Sequence, residues 1–426
     1  MKPKLWIISF DNLAGDDLND LSGLPNFKRY LDRAGYCKHV TTIYPSVTYP
    51  AHTTIVTGQY PVHHGITNNT LFQPKRLGAE DWNWKSRRIR SKTLFDVAHE
   101  KGLVTASFLW PVMGGNRKIR YNMPEIFANR KWDNQIFTSL RNGSKLFQLW
   151  AFLRHGKEMD GIRQPALDRF LHHVVMDTAK FKQPDVMFIH YVDLDSTRHI
   201  YGHSAPEAKE ALIRHDERLG EILDFIDEDT HLVVLGDHSS LDEHSAIYLN
   251  SWFRQEGLLT VREDGSLLSW EALCHTCDGS AYIHVKDKTR VPEIAARLKA
   301  FSEAHDHCIQ TIMNAAHAGS LGAGSDAELM IEAKRGYYFL DEAMEKEAVY
   351  RIQEGDVGTK PHITLSTHGY SPEKSRYQTF FSVYGPKVRA GEVESMRLID
   401  DGPTIAYLMD GHLPEADGVV IKELFV

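Results

Sequence analysis

The sequence predicts an α/β fold: a central, mostly parallel sheet with helices on both faces, plus a smaller inserted α/β unit. Three observations carry this. Residues 5–10 (LWIISF), 185–191 (DVMFIHY) and 231–236 (HLVVLG) are short, nearly continuous apolar runs. That is the pattern of strands buried on both faces of a parallel sheet. Between the second and third runs, Ala208, Ala211, Leu212, Leu219, Ile222, Leu223 and Ile226 fall on one helical face. From about 246 to 360 the pattern changes and then resumes, so the expected division is a core of 1–245 with 361–426 and an inserted cap of 246–360.

Taken in order, the strand at 5–10 ends on Asp11. A helix follows over 25–34, with Pro25 at its start and Gly35 closing it. A strand is expected over 38–43. The stretch 44–61 (YPSVTYPAHTTIVTGQYP) predicts a short helix: Pro50 lies near its start, Ala51 to Thr57 continue it, and Gly58 closes it. Thr48 stands at its N-terminus, where unpaired N–H groups and a partial positive charge suit a phosphate or other oxyanion. Taken alone, a hydroxyl there is more often only an N-cap.

Residues 91–100 predict a helix capped by Ser91 and stopped at Gly102, and 104–109 a strand running into Trp110-Pro111. Residues 114–157 show no clear period and are read as loops on the substrate side. An amphipathic helix covers 164–180. The strand at 185–191 leads into a loop bearing Asp193, Asp195 and His199. Ser204-Ala205-Pro206-Glu207 has the form of a capping box, and the strand at 231–236 ends on Asp237-His238. Inside the insertion, 281–285 and 328–333 read as strands and 291–304 as a helix. The core restarts at Ser366-Thr367-His368-Gly369-Tyr370 and continues in a strand at 379–384.

Composition narrows the partners. The 426 residues are 42% hydrophobic and 25% charged, which suits a globular protein with a sizeable core. A net charge of -8 without a long basic stripe argues against a nucleic-acid polymer as partner. A small phosphorylated substrate needs only local positive charge. No run approaches the length of a membrane helix, and the apolar run at 5–10 is too short for a signal-peptide core, so no membrane partner and a cytoplasmic location are expected. Cys274 and Cys277 have the CxxC spacing, but no second pair accompanies them, and buried thiols are the expected reading.

In open α/β sheets, ligands bind beyond the carboxyl ends of the strands. Here those ends carry Asp11, Asp195 with His199, and Asp237-His238, with His368 in a late loop. Any one acidic residue at a strand end reads as a loop starter. Jointly, Asp and His without thiolate suit zinc, and also manganese or iron. Two such metals can clamp both oxygens of an in-line phosphoryl displacement, one of them activating a threonine hydroxyl.

The chain resembles the nucleotide pyrophosphatase/phosphodiesterase branch of the alkaline phosphatase superfamily. The resemblance rests on Ile8-Ser9-Phe10-Asp11, Thr48-Tyr49-Pro50-Ala51-His52, Thr57-Gly58-Gln59-Tyr60-Pro61, His63-His64-Gly65-Ile66, Asn68-Asn69 and Phe108-Leu109-Trp110-Pro111. It continues with Asp195 through Gly202, Gly236-Asp237-His238 and Thr367-His368-Gly369-Tyr370, all in family order. It implies an alkaline-phosphatase-like fold and two Zn2+ ions. Asp11, Asp237 and His238 would bind the ion that activates Thr48, and Asp195, His199 and His368 the other. Thr48 would form a covalent phosphothreonine, and Asn69 would hydrogen-bond a non-bridging phosphoryl oxygen, with Asn68 as its rival.

Some positions depart from the family pattern. Asn12, Arg198 and Ser239 stand where relatives commonly carry glycine, and Ala51 where many carry asparagine. Arg198 is a candidate for a substrate phosphate and Trp110 for the border of a base pocket. Solvent exposure and core packing, respectively, are the plainer readings. The expected activity is a two-zinc phosphodiesterase or nucleotide pyrophosphatase. A phosphomonoesterase or phosphonate hydrolase on the same site is the alternative. No C-x-P-x-R motif supports a sulfatase. A non-catalytic binding protein or a structural metal protein fits poorly, because no ligand or nucleophile position is lost.

Overall fold

In the computed structural model, which describes residues 4–130 and 132–426, the three apolar runs lie side by side at the centre of a nine-stranded sheet. Its strands are β1 (Lys4–Phe10), β2 (Gly35–Thr41), β3 (Thr105–Phe108), β4 (Tyr121–Met123), β5 (Val186–Tyr191) and β6 (Thr230–Leu235), with Thr379–Tyr384, Gly391–Glu392 and Met396–Arg397. The central order is β2, Thr379–Tyr384, β6, β1, β5, β3, β4. β1 pairs in parallel with both β5 and β6, and Ser9 stands opposite His190 on one side and Leu235 on the other. This register brings three acid-bearing strand ends together. Thr379–Tyr384 runs antiparallel to β2 and β6, so the sheet is mixed around a parallel centre.

Alternate residues of β1 enter different cores, as the two-residue period of a strand requires. Leu5 and Ile7 pack with Tyr49, Ile55, Val56, Phe95 and Ile405, from helices Thr48–Thr57, Leu94–Glu100 and Asp401–Leu408. Trp6, Ile8 and Phe10 pack with Phe27, Phe170, Val174, Leu212 and Leu219, from helices Pro25–Leu31, Ala166–Phe181 and Pro206–Phe225. Both faces of the sheet are therefore covered.

The segment from 246 to 360 carries its own antiparallel sheet, in the order Ala272–Cys277, Ser280–Val285, Leu329–Ala333, Ile309–Asn314, with helix Val291–Ala304 against it. Ser245–Ile247 pairs with both Tyr337–Phe339 and Val349–Arg351, drawing the two ends of this segment together. Cys274 and Cys277 are free, buried and in different apolar clusters. Three positions apart on a strand, they face opposite sides and cannot grip one ion. Among the described residues no helix is long and apolar enough to cross a membrane.

Several local expectations are corrected. The helix expected from Ser91 starts at Leu94. Thr93 is its cap, and the Asp96 carboxylate accepts from Thr93 N at 2.8 Å, a reciprocal box that Ser91 cannot form. Helix Pro206–Phe225 is capped by Ala205 with no side-chain bond, so Ser204 and Glu207 form no box. The stretch 114–157 holds β4 and helices Gln135–Asn142 and Lys145–His155. The first of these helices is amphipathic but short and buries no residue, and its Ile136 and Phe137 are exposed. The loop expected after β5 is helix Asp193–Tyr201.

Candidate active site

Each expected metal ligand sits at the carboxyl edge of the sheet because of the element that precedes it. Asp11 follows β1, and Asp237 and His238 follow β6. Asp195 and His199 stand four apart on helix Asp193–Tyr201, and so share one face. The short strand Ser366–Thr367 pairs with Leu241–Asp242 and delivers His368, whose ring centroid lies 4.0 Å from that of His238.

The six residues form two adjoining triads. The ligand atoms of Asp11, Asp237 and His238 lie within 4.8 Å of one another, as do those of Asp195, His199 and His368. In the first, His238 Nε2 is 3.4 Å from Asp11 Oδ1, 3.2 Å from Asp237 Oδ2 and 3.3 Å from Thr48 Oγ1. In the second, His199 Nε2 is 3.2 Å from Asp195 Oδ2, and His368 Nε2 is 4.0 Å from Asp195 Oδ1.

The donor chemistry fits divalent cations. Asp11 Oδ1 and Asp237 Oδ2 are buried and have no hydrogen-bond partner, an arrangement that costs free energy unless a cation meets them. Burial and the neighbouring Asp195 push Asp11 up to about 7. Burial and Asp11 push Asp237 well above the carboxylate range. Burial holds His238 and His368 below the usual imidazole value, which keeps their lone pairs available. Burial opposes a charge on His199, yet Asp195 raises it to about 9, so a cation there displaces a proton. His199 Nδ1 donates to Ser366 O at 2.8 Å, which turns Nε2 inward.

Thr48 is the first residue of helix Thr48–Thr57, and Val47 is its cap, so the N-cap reading of its hydroxyl is set aside. Gly58 closes the helix at φ 68°. Asn69 lies beside the start of this helix: its Oδ1 accepts from Tyr49 N at 2.8 Å, which leaves the amide donor free to face a ligand. Asn68 turns away, its Nδ2 donating to Thr276 O at 2.8 Å.

Two tentative substrate contacts are not upheld. Arg198 is 2% exposed; its Nη2 donates to Asp17 Oδ1 at 2.5 Å, Nη1 to Asn12 O and Nε to His203 O at 3.0 Å. The guanidinium is spent on the interior. Trp110 is 0% exposed and edge-packed against His52 and Phe188. Asp193 is buried against Arg214 and Arg218.

The geometry also adds residues. Asn12, at φ 65°, links the triads: its backbone N donates to Asp237 Oδ1 at 3.1 Å and its Nδ2 to Asp195 Oδ1 at 3.0 Å. Its left-handed backbone accounts for a position where glycine is easiest. Arg198 holds Asn12, so two departures from the family pattern touch each other. His190 Nε2 is 3.1 Å from Asp11 Oδ2, and Asp278 Oδ2 is 3.8 Å from His368 Nδ1. The strand register pointed to His190, since it stands opposite Ser9, two residues before Asp11.

Comparison with known proteins follows the same line. A family model described as type I phosphodiesterase / nucleotide pyrophosphatase matches residues 5–371. The human ectonucleotide pyrophosphatase/phosphodiesterase family member 1 is 26% identical over 265 residues, covering 59% of this chain and 25% of that protein. The ectonucleotide pyrophosphatase/phosphodiesterase 1 of Saccharomyces cerevisiae is 23% identical over 385 residues, covering 82% and 48%. The chain thus spans a quarter to about half the length of these relatives. In structure it is similar to murine ectonucleotide pyrophosphatase/phosphodiesterase 5, solved as an inactive threonine-to-alanine variant in complex with AMP. The TM-score is 0.67 at 17% identity, covering 100% of both chains. The human protein of the same name gives 0.67 at 18%. This likeness bears out the expected alkaline-phosphatase-like fold.

Proposed function

Given that the chain belongs to the type I phosphodiesterase/nucleotide pyrophosphatase family, and is thus a hydrolase, we propose that it cleaves phosphodiesters or nucleotide pyrophosphates through a covalent phosphothreonine on Thr48. The observation that carries this is the convergence of Thr48 Oγ1, at a helix N-terminus, on the Asp11, Asp237 and His238 triad. Two Zn2+ ions, held by that triad and by Asp195, His199 and His368, would supply Lewis acidity that lowers the hydroxyl pKa and offsets phosphoryl charge. Manganese or iron suits the same donors.

Thr48 Oγ1 bonds to phosphorus and loses its proton as the P–O bond to the leaving group breaks, and the leaving oxygen takes up a proton. Water then splits the Oγ1–P bond and restores the hydroxyl. The Asn69 amide, braced by Tyr49 N, donates to a non-bridging oxygen. Asn12 and His190 fix the carboxylates.

Two cavities of about 500 and 510 Å³ share Leu71, Arg87 and Arg88, and Thr70, next to Asn69 in the chain, lines the second. Trp82, Phe127 and Lys85 line the first; Phe72, Tyr282, His284 and Arg90 line the second. Aromatic walls with cationic side chains suit a nucleotide or aryl leaving group with a further anionic charge. The segment from 246 to 360 acts as a cap that limits substrate size, a reading supported by its Asp278 and by the Tyr282 and His284 wall.

The test compares zinc-loaded enzyme on bis-p-nitrophenyl phosphate, p-nitrophenyl phosphate and a nucleotide phenylphosphonate, with Thr48→Ala as control. The diester and the nucleotide substrate should be preferred, and Thr48→Ala should abolish turnover. A dominant monoesterase activity that still needs Thr48 would move the substrate class to the phosphatase alternative. Activity that survives in Thr48→Ala would remove the nucleophile assignment.

A further inference from the structure

A second kind of histidine–carboxylate cluster lies outside this site. It forms where helix Lys145–His155 ends against helix Ala166–Phe181. His155 is the last residue of the first helix, Glu158 ends the turn Gly156–Glu158, and His173 lies midway along the second. One ligand atom from each lies within 4.8 Å of the other two, and all three residues are half-buried. An ion there has access from solvent and partial shelter from it.

The proton inventory of His155 gives the cluster its chemistry. Its Nε2 is 2.9 Å from Asp177 Oδ2, and Asp177 also accepts from Arg154 Nε. An ionised carboxylate only accepts, so the N–H of a neutral His155 sits on Nε2. The other nitrogen, Nδ1, then turns a lone pair toward Glu158 Oε1 at 3.0 Å. A proton or a metal ion held between them relieves that contact. The second oxygen of the same carboxylate, Glu158 Oε2, faces His173 Nδ1 at 2.5 Å. A carboxylate orienting one ligating imidazole, with a second imidazole and a second carboxylate converging, is the donor pattern of a zinc site with three protein ligands and a water. Ligands bound at about 2.1 Å in a tetrahedron stand about 3.4 Å apart, so small side-chain movements suffice.

We propose that His155 Nδ1, His173 Nδ1 and the Glu158 carboxylate form a zinc site separate from the Thr48 site, with Asp177 orienting His155. The ion fastens the helical segment 135–158 to the core helix Ala166–Phe181. That segment also borders the first cavity, through Phe137, Thr138, Arg141 and Asn142. The site thus braces one wall of that cavity, and none of its residues belongs to the Thr48 site.

The test uses the full chain, stripped with chelator and equilibrated with buffered free Zn2+ in the micromolar range. Zinc per chain is measured by mass spectrometry for the parent, His155→Ala, His173→Ala and Glu158→Gln. Each variant should hold one equivalent less than the parent, show a smaller zinc-dependent rise in Tm, and keep its turnover of bis-p-nitrophenyl phosphate. Because the readout is a difference between parent and variant, it stands apart from how many ions the Thr48 site holds. Glu158→Gln preserves volume and guards against a folding defect in the alanine variants. Equal zinc content in parent and all variants would overturn the proposal and leave the cluster a proton-bridged ion-pair network.

Discussion

Replacing Arg198 by methionine separates a structural role from a substrate contact. Methionine keeps much of the aliphatic length and removes the charge. The loss strands Asp17, left with its bond from Ala14 N at 2.8 Å, together with the carbonyls of Asn12 and His203. Removing one partner of a buried, hydrogen-bonded ion pair costs about 3–5 kcal/mol. A chain of 426 residues has an unfolding entropy of about 0.9 kcal/mol/K. Tm should therefore fall by about 3–6 °C. The perturbation also reaches the two triads, because Arg198 holds Asn12 and Asn12 bonds one carboxylate of each. Loss of such an outer support lowers metal affinity or activity by about 10–100-fold. Calorimetry, zinc competition and steady-state kinetics on bis-p-nitrophenyl phosphate read the three effects. An unchanged Tm and zinc affinity with only a raised KM would place Arg198 on the substrate and refute the reasoning from burial.

Other outcomes follow from the same geometry. Asn69→Ala should lower kcat by about 10²–10³-fold, as expected for one donor to a phosphoryl oxygen, with little change in zinc content; a change in KM alone would contradict that role. Chelation should abolish turnover and lower Tm, since Asp11, Asp195 and Asp237 are then left close together in the interior, and Zn2+ should restore both; a Tm indifferent to chelator and zinc would count against a metal at these triads. Burial holds His64 down at about 3, against about 6.5 in the unfolded chain. Its contribution to stability is therefore complete above pH 6.5 and is lost as pH falls toward 3, by up to about 1.4 kcal/mol per pH unit. Urea unfolding from pH 7 to pH 4 should show His64→Gln with a slope shallower by about one proton; parallel slopes would mean His64 is not kept neutral by the fold.

Residue type and local period were enough to read the parallel centre of the sheet and to single out the six Asp and His residues that the fold gathers into two triads. A buried strand needs a continuous apolar run, and a metal site at its end needs Asp or His just beyond it; both are properties of a few consecutive residues. Thr48 was legible for the same reason, from Pro50 and Gly58 bracketing a short helix. What chain-local pattern does not contain is which distant residue meets which. Only the tertiary structure puts Arg198 against Asn12, 186 positions away, and so turns an apparent phosphate contact into an interior support. It likewise draws Trp110 into the core, sets His190 on Asp11, and brings His173 to Glu158. Strand register and helix packing decide those meetings, because they set the positions of side chains that local sequence leaves independent.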